Sequence, residues 1–267
     1  MTTLTQFADL IASRQISGQT VRFQIPDDWQ QGVTAYGGLV AAIGACAIRD
    51  VLGEERALRA LQVNFVGSVP AGPAAVQVTT LRSGKSVTQA QAIVSANGET
   101  ACVISAVLAL SRENSLTDFA LTQPSTRPAE ALDDLPFIPG RTPAFFQHFR
   151  SRWAEGDPPA SAGSTLHSRI WMQLNSNPVN TELLCILFAD AMPSPIMSTA
   201  RSKVFGASLA WTLEFLPPSQ QRQRPDWWRA DTELTGHGQG YANQVTTLWT
   251  PQGLPAARSQ QVVAIYA

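Results

Sequence analysis

The order helix, then four strands, occurs twice in the 267 residues, and a chain that repeats one unit must fold as two copies of it. Tyr36-Gly37-Gly38 opens an Ala- and Leu-rich run, Leu39 to Leu52, with the pattern of a buried helix. Four β-patterned segments follow: Leu58 to Val66, Ala74 to Arg82, Ser86 to Ala96 and Glu99 to Leu110. Asn97-Gly98 between the last two signals a type I′ hairpin, because both central residues must accept positive φ. Further on, Phe145 to Trp153 and Leu166 to Leu174 read as strands and Thr181 to Ala191 as a helix. Strands Phe205 to Phe215, Trp227 to Thr235, Tyr241 to Trp249 and Ser259 to Tyr266 complete the second round. Phe65 and Phe215 are 150 residues apart, and the turn glycines Gly98 and Gly253 are 155 apart. The drift of five residues places one longer loop in the second copy, where Pro217 to Pro225 is hydrophilic.

The expected fold class is therefore α+β, with two copies of an antiparallel sheet around one apolar helix. Residues 1–112 form the first unit, serving as scaffold, and 143–267 form the second. Residues 113–142, rich in Ser, Thr, Pro and acidic side chains, form a linker. Outer faces and edges are left for a homodimer or larger assembly.

Charge and cysteine content narrow the function. Lys+Arg 19 against Asp+Glu 20 leaves a formal charge of −1, with no basic excess for nucleic acid. Cys46, Cys102 and Cys185 are odd in number and flanked by apolar residues, which suits buried thiols in a reducing compartment. With no basic, apolar leader and no apolar run of membrane-spanning length, the chain reads as cytoplasmic. Gly84-Lys85-Ser86 lacks the first glycine of a phosphate loop and joins two strands, so it reads as a turn. Gly236 to Gly240 lacks dinucleotide-binding spacing and reads as a loop. His148, His167 and His237 are too scattered to suggest a metal site.

Polar residues are distributed unequally between the copies. Asp190 ends the apolar stretch Leu183 to Ala189, where a carboxylate is costly unless it is hydrogen-bonded or functional; a helix-end residue facing water is the alternative. Strand alternation turns either Gln260 or Gln261 inward. The repeat spacing sets Leu58 opposite Ser208 and Ala106 opposite Gln261, and Gly38 to Ile48 contains no acid. Only the second copy can hold a cluster of acid, hydroxyl and amide. In the first, Gly37 and Gly38 offer substrate a close backbone approach and free N–H groups at a helix start.

The stretches Tyr36 to Ala42, Leu61 to Gly72 and Leu81 to Ser86, with Phe188-Ala189-Asp190, Trp211 to Phe215 and Gly253 to Gln261, resemble the double hot-dog acyl-CoA thioesterases, those of type II and their relatives. The resemblance implies hydrolysis of acyl-CoA thioesters without a cofactor or metal, by a water held between an Asp, a Thr or Ser, and a Gln. Position by position these fall on Asp190, Ser208 and Gln261. The family's Asp-His pair after the hydroxyl is replaced by Leu209-Ala210-Trp211. That departure keeps open a second expectation, a non-catalytic acyl-CoA or lipid-binding module. A hot-dog hydratase would want a His on a helix, and neither expected helix has one.

Overall fold

The computed structural model describes residues 4–53, 56–113, 115–117, 119–175, 180–216 and 227–266; the loop expected at Pro217 to Pro225 lies outside them. The chain begins with α1 (Phe7–Ala12), β1 (Gln15–Ser17) and β2 (Thr20–Ile25). Then come β3 (Gln30–Gln31), β4 (Thr34–Ala35), α2 (Gly37–Leu52), β5 (Ala57–Phe65), β6 (Gly72–Ser83), β7 (Val87–Ala96) and β8 (Glu99–Ala109). The second round has β9 (Phe149–Glu155), β10 (His167–Leu174), α3 (Thr181–Ala189), β11 (Phe205–Phe215), β12 (Trp228–Gly238), β13 (Tyr241–Trp249) and β14 (Pro255–Tyr266). The architecture is a tandem hot-dog, α+β with antiparallel sheets.

Two compact units divide the chain: Met1–Thr117 with Phe137–Phe149 and Leu174–Leu187, and Asp118–Pro136 with Arg150–Gln173 and Phe188–Ala267. In the first, strands run in the order β1, β2, β6, β7, β8, β5, and α2 packs on β2, β6, β7 and β8. Every residue of α2 from Gly38 to Ile48 is buried, which explains why that stretch carries no charge. Most of α3 belongs with this unit, because Glu182 takes a bidentate ion pair from Arg49 and accepts the Leu58 N–H. In the second unit the order is β11, β14, β13, β12, β10, β9.

The two copies share their irregularities as well as their order. Arg59 on β5 has no partner on β8, and Leu209, 150 residues on, has none on β14. The β6–β7 ladder skips Leu81 where β12–β13 skips Thr235, and β7–β8 skips Ala101 where β13–β14 skips Ala256. The last of these spacings is again 155. Three β-bulges at equivalent places identify equivalent residues independently of sequence similarity.

Asn97 (φ 51°) and Gly98 (φ 81°) make the expected I′ turn. Gly84 closes a hairpin by donating to the Val87 carbonyl. The supposed loop Gly236 to Gly240 is instead strand as far as Gly238, followed by a second turn of this kind at Gln239-Gly240. The strand expected at Phe145 to Trp153 begins only at Phe149. Ala144–His148 is a 3-10 turn, because after Pro143 its rings must face inward together: Phe145 stacks on Tyr36 at 4.2 Å and His148 on Trp29 at 4.0 Å. Of the stretch expected as a linker, Asp118–Pro136 groups with the second unit. Arg127 donates to Ala154 O, Leu135 N to Ser151 O, and the buried Arg229 to Pro124 O while paired with Asp231. All three cysteines are free and buried, and burial pushes their thiols up to about 12. No helix among the described residues is long and apolar enough to cross a membrane.

Burial lowers the His148 pKa, an effect partly opposed by the Asp28 carboxylate 3.5 Å from its Nε2. The fold therefore favours the neutral ring. Its stabilising contribution is intact above the unfolded pKa of about 6.5 and is lost as pH falls below it, by at most about 1.4 kcal/mol per pH unit. Thermal melts between pH 7 and pH 5.5 should show Tm falling for the wild type, with a flatter profile for His148→Phe, which keeps a ring on Trp29 but has nothing to protonate.

Candidate active site

Asp190 owes its position to the way α3 ends. Asn180 caps the start, its Oδ1 accepting the Glu182 N–H at 2.7 Å, and an apolar run carries the helix to Ala189. Pro193 and Pro195 prevent continuation, the Ala191 N–H turns back to Phe188 O at 3.3 Å, and Asp190 is the turn residue between. A carboxylate at a helix C-terminus meets the negative end of the helix dipole, so this is an unfavourable place for it on local grounds alone. Side-chain donors from two strands compensate: Gln261 Nε2 reaches Asp190 Oδ1 at 2.6 Å and Ser208 Oγ reaches the same oxygen at 3.3 Å.

Ser208 depends on the bulge at Leu209. On β11 the inward residues Trp211 and Leu213 alternate normally, and regular alternation would turn Ser208 outward. The unpaired Leu209 absorbs one residue, so Ser208 pairs with the buried Val263 and shares the inner face with Trp211, which pairs with Gln261. On β14, Gln261 is 4% exposed and faces the site, while Gln260 is exposed on the other side. The equivalent positions of the first unit, Leu58 and Ala106, are buried and apolar.

One residue was missed. Gln244 of β13 stands directly opposite Gln261 and is 5% exposed; its Nε2 donates to Gln261 Oε1 at 2.8 Å. The repeat could have found it, because Ala90 is its counterpart: Ala90 pairs with Ala106 as Gln244 pairs with Gln261. The replacement of a buried methyl by a buried amide was legible once the register of the third strand was carried across.

The two glycines belong to the first unit. Leu39 and Val40 N–H groups both turn back to the Tyr36 carbonyl at the start of α2. Gly38 is buried beneath the Tyr36 ring, whose hydroxyl would lie 2.2 Å from any Cβ there, so its bareness makes room for Tyr36. Gly37 is half-buried. Over the second sheet a depression of about 360 Å³ is lined by residues including Thr212, Asn243, Val245, Gln260, Gln244 and Gln261. Asp190 is not in its wall, but Gln261 and Gln244 are, so it borders the carboxylate cluster through these two amides. Among the described residues no three His, Cys, Asp or Glu side chains are grouped as a metal ion would require.

Comparison with known proteins places the fold. The model of the acyl-CoA thioesterase N-terminal domain matches residues 25–110, and that of the C-terminal domain matches residues 129–265. No curated protein matches the sequence. A hot-dog protein of unknown function from Alicyclobacillus acidocaldarius superposes with a TM-score of 0.85 at 19% identity, covering 99% of both chains. The acyl-CoA thioesterase II TesB2 of Mycobacterium marinum gives 0.74 at 17% identity, covering 97% of this chain and 98% of its own. The TesB protein of Mycobacterium avium subspecies paratuberculosis gives 0.78 at 14%, covering 98% and 100%.

The two bonds to Asp190 differ in length and burial, and their removal should differ in cost. Gln261→Leu strips Asp190 of its shorter donor and leaves the buried Gln244 amide facing no acceptor, a loss of about 1–3 kcal/mol. Ser208→Ala removes one long, half-buried bond and should cost less than about 1 kcal/mol. Urea unfolding of both variants checks the ranking.

Proposed function

The chain belongs to the acyl-CoA thioesterase family, and from that premise we propose that it hydrolyses acyl-CoA thioesters to the free acid and coenzyme A. Asp190 acts as the general base. A water held by Ser208 and Gln261 gives its proton to the carboxylate while its oxygen adds to the thioester carbonyl. The tetrahedral intermediate then collapses with cleavage of the C–S bond, and the proton on Asp190 passes to the departing thiolate. Protons and electrons balance without a cofactor, a metal or a covalent enzyme intermediate.

The observation that carries this reading is the convergence of Gln261 and Ser208 on one oxygen of Asp190. Both donors act on one carboxylate oxygen, which orients the group. The amide is well placed to hold water because it can donate and accept together. The apolar residues Leu58 and Ala106 at the same ladder positions of the first unit support a site in the second. A second reading, non-catalytic binding of acyl-CoA or a lipid, is favoured by one feature: the apolar Leu209-Ala210-Trp211 stands where the family carries an Asp-His pair.

Thiol release from a panel running from acetyl- to palmitoyl-CoA separates the two. Hydrolysis supports the enzyme, and saturable binding with no thiol release supports the binding module. Asp190→Asn is nearly isosteric but cannot take the proton, so it should abolish turnover while Tm stays close to that of the wild type. Unchanged kcat in this variant would exclude Asp190 as the base.

A further inference from the structure

We propose that Gln244 is a positioning residue of this site, setting which end of the Gln261 amide faces Asp190; the proposal rests on the reading of Asp190 as the base. The hydrogen bonds have one possible direction. An ionised carboxylate only accepts, so Gln261 must present its NH2 group, as it does at 2.6 Å, and its Oε1 must then face β13. Gln244 meets that oxygen with its own NH2 at 2.8 Å. The two bonds thus run one way, from the Gln244 NH2 to Gln261 Oε1 and from the Gln261 NH2 to Asp190.

The same line shows what Gln244 adds. The two ends of an amide have nearly the same shape, so packing discriminates poorly between the productive orientation of Gln261 and the one turned by 180°. With a methyl group opposite, as Ala90 provides in the first unit, the Gln261 carbonyl would have no donor on this side. With Gln244 opposite, the productive orientation gains a bond between two buried groups.

The residue is not a cost-free addition to the sheet. Gln244 Oε1 is buried and has no hydrogen-bond partner among the described residues, which carries a desolvation cost. Ala90 occupies the same ladder position in the first unit without one. The first unit sets a methyl across from Ala106, and the second sets an amide directly across from Gln261.

The test uses the full chain and the acyl-CoA it turns over fastest. Gln244→Met keeps the volume and removes the donor; kcat should fall about tenfold with KM little changed, since the defect lies in orienting the attacking water. The effect should vanish where Gln261 is already lost: the double variant with Gln261→Met should be no slower than Gln261→Met alone, whereas an independent structural defect would multiply. Gln244→Glu adds a readout that packing cannot imitate. A protonated carboxyl donates to Gln261 Oε1 as the amide did, while the ionised form can only accept and would pull the Gln261 NH2 away from Asp190. This variant should be active at low pH and acquire a descending limb as its buried carboxyl ionises, a limb absent from the wild type. The pH profile keeps the test decisive even if Gln244→Met does not fold.

Wild-type kcat in Gln244→Met, multiplicative losses in the double variant, or a wild-type pH profile in Gln244→Glu would each overturn the proposal. If Asp190→Asn is inactive while the Gln244 variants behave as wild type, positioning alone fails. If Asp190→Asn retains full kcat, or the wild type releases no thiol, the catalytic reading fails and the positioning role falls with it.

Discussion

Leu209 has no partner on β14, and the meeting of Ser208 and Gln261 on one face of the second unit depends on that surplus residue. Along a strand, side chains alternate faces, so a serine three residues before an inward tryptophan belongs outside. The bulge converts that spacing and brings Ser208 and Trp211 to one face, opposite Val263 and Gln261. The first unit has the same bulge at Arg59 with Leu58 beside it, so the device comes with the fold. What differs is the side chain it delivers.

The same scaffold thus carries two interiors. At equivalent ladder positions the first unit places Leu58, Ala90 and Ala106, and the second places Ser208, Gln244 and Gln261. The pattern extends across the inner face. Val78 opposite Ala92 becomes Thr232 opposite Thr246, whose hydroxyls bond each other at 2.9 Å. Ile104 becomes Ser259, which accepts the Trp211 indole N–H at 2.7 Å. Buried polar groups need partners, so these substitutions could be tolerated only together, in bonded sets. The Asp190 cluster is the set that ends in a charge.

Much of the chain was legible beforehand because its signals are local. Asn97-Gly98 must turn, since few other pairs accept its dihedral angles, and the uncharged stretch from Gly38 to Ile48 can only be interior. The landmarks 150 and 155 residues apart found the duplication, and the bulges repeat those spacings. Phe145 to His148 misled because alternation and a 3-10 turn both bury aromatic residues; the partners Tyr36 and Trp29 lie more than a hundred positions away. The supposed linker misled in a similar way, since Arg229 and Arg127 secure it through carbonyl oxygens, which every sequence possesses.

For the site itself, residue types and spacing determined that one copy alone could hold an acid, a hydroxyl and an amide, because the other has Leu58 and Ala106 where these would stand. They left open which glutamine faces inward and pointed to Gln244 only through the register of the third strand, because both depend on pairing between strands. The tertiary structure decided these points: β13 sets Gln244 across from Gln261, and the end of α3 brings Asp190 within 2.6 Å of the latter. The physical reason is that a hydrogen bond is fixed by angle and distance across a ladder, whereas a sequence records only order along the chain.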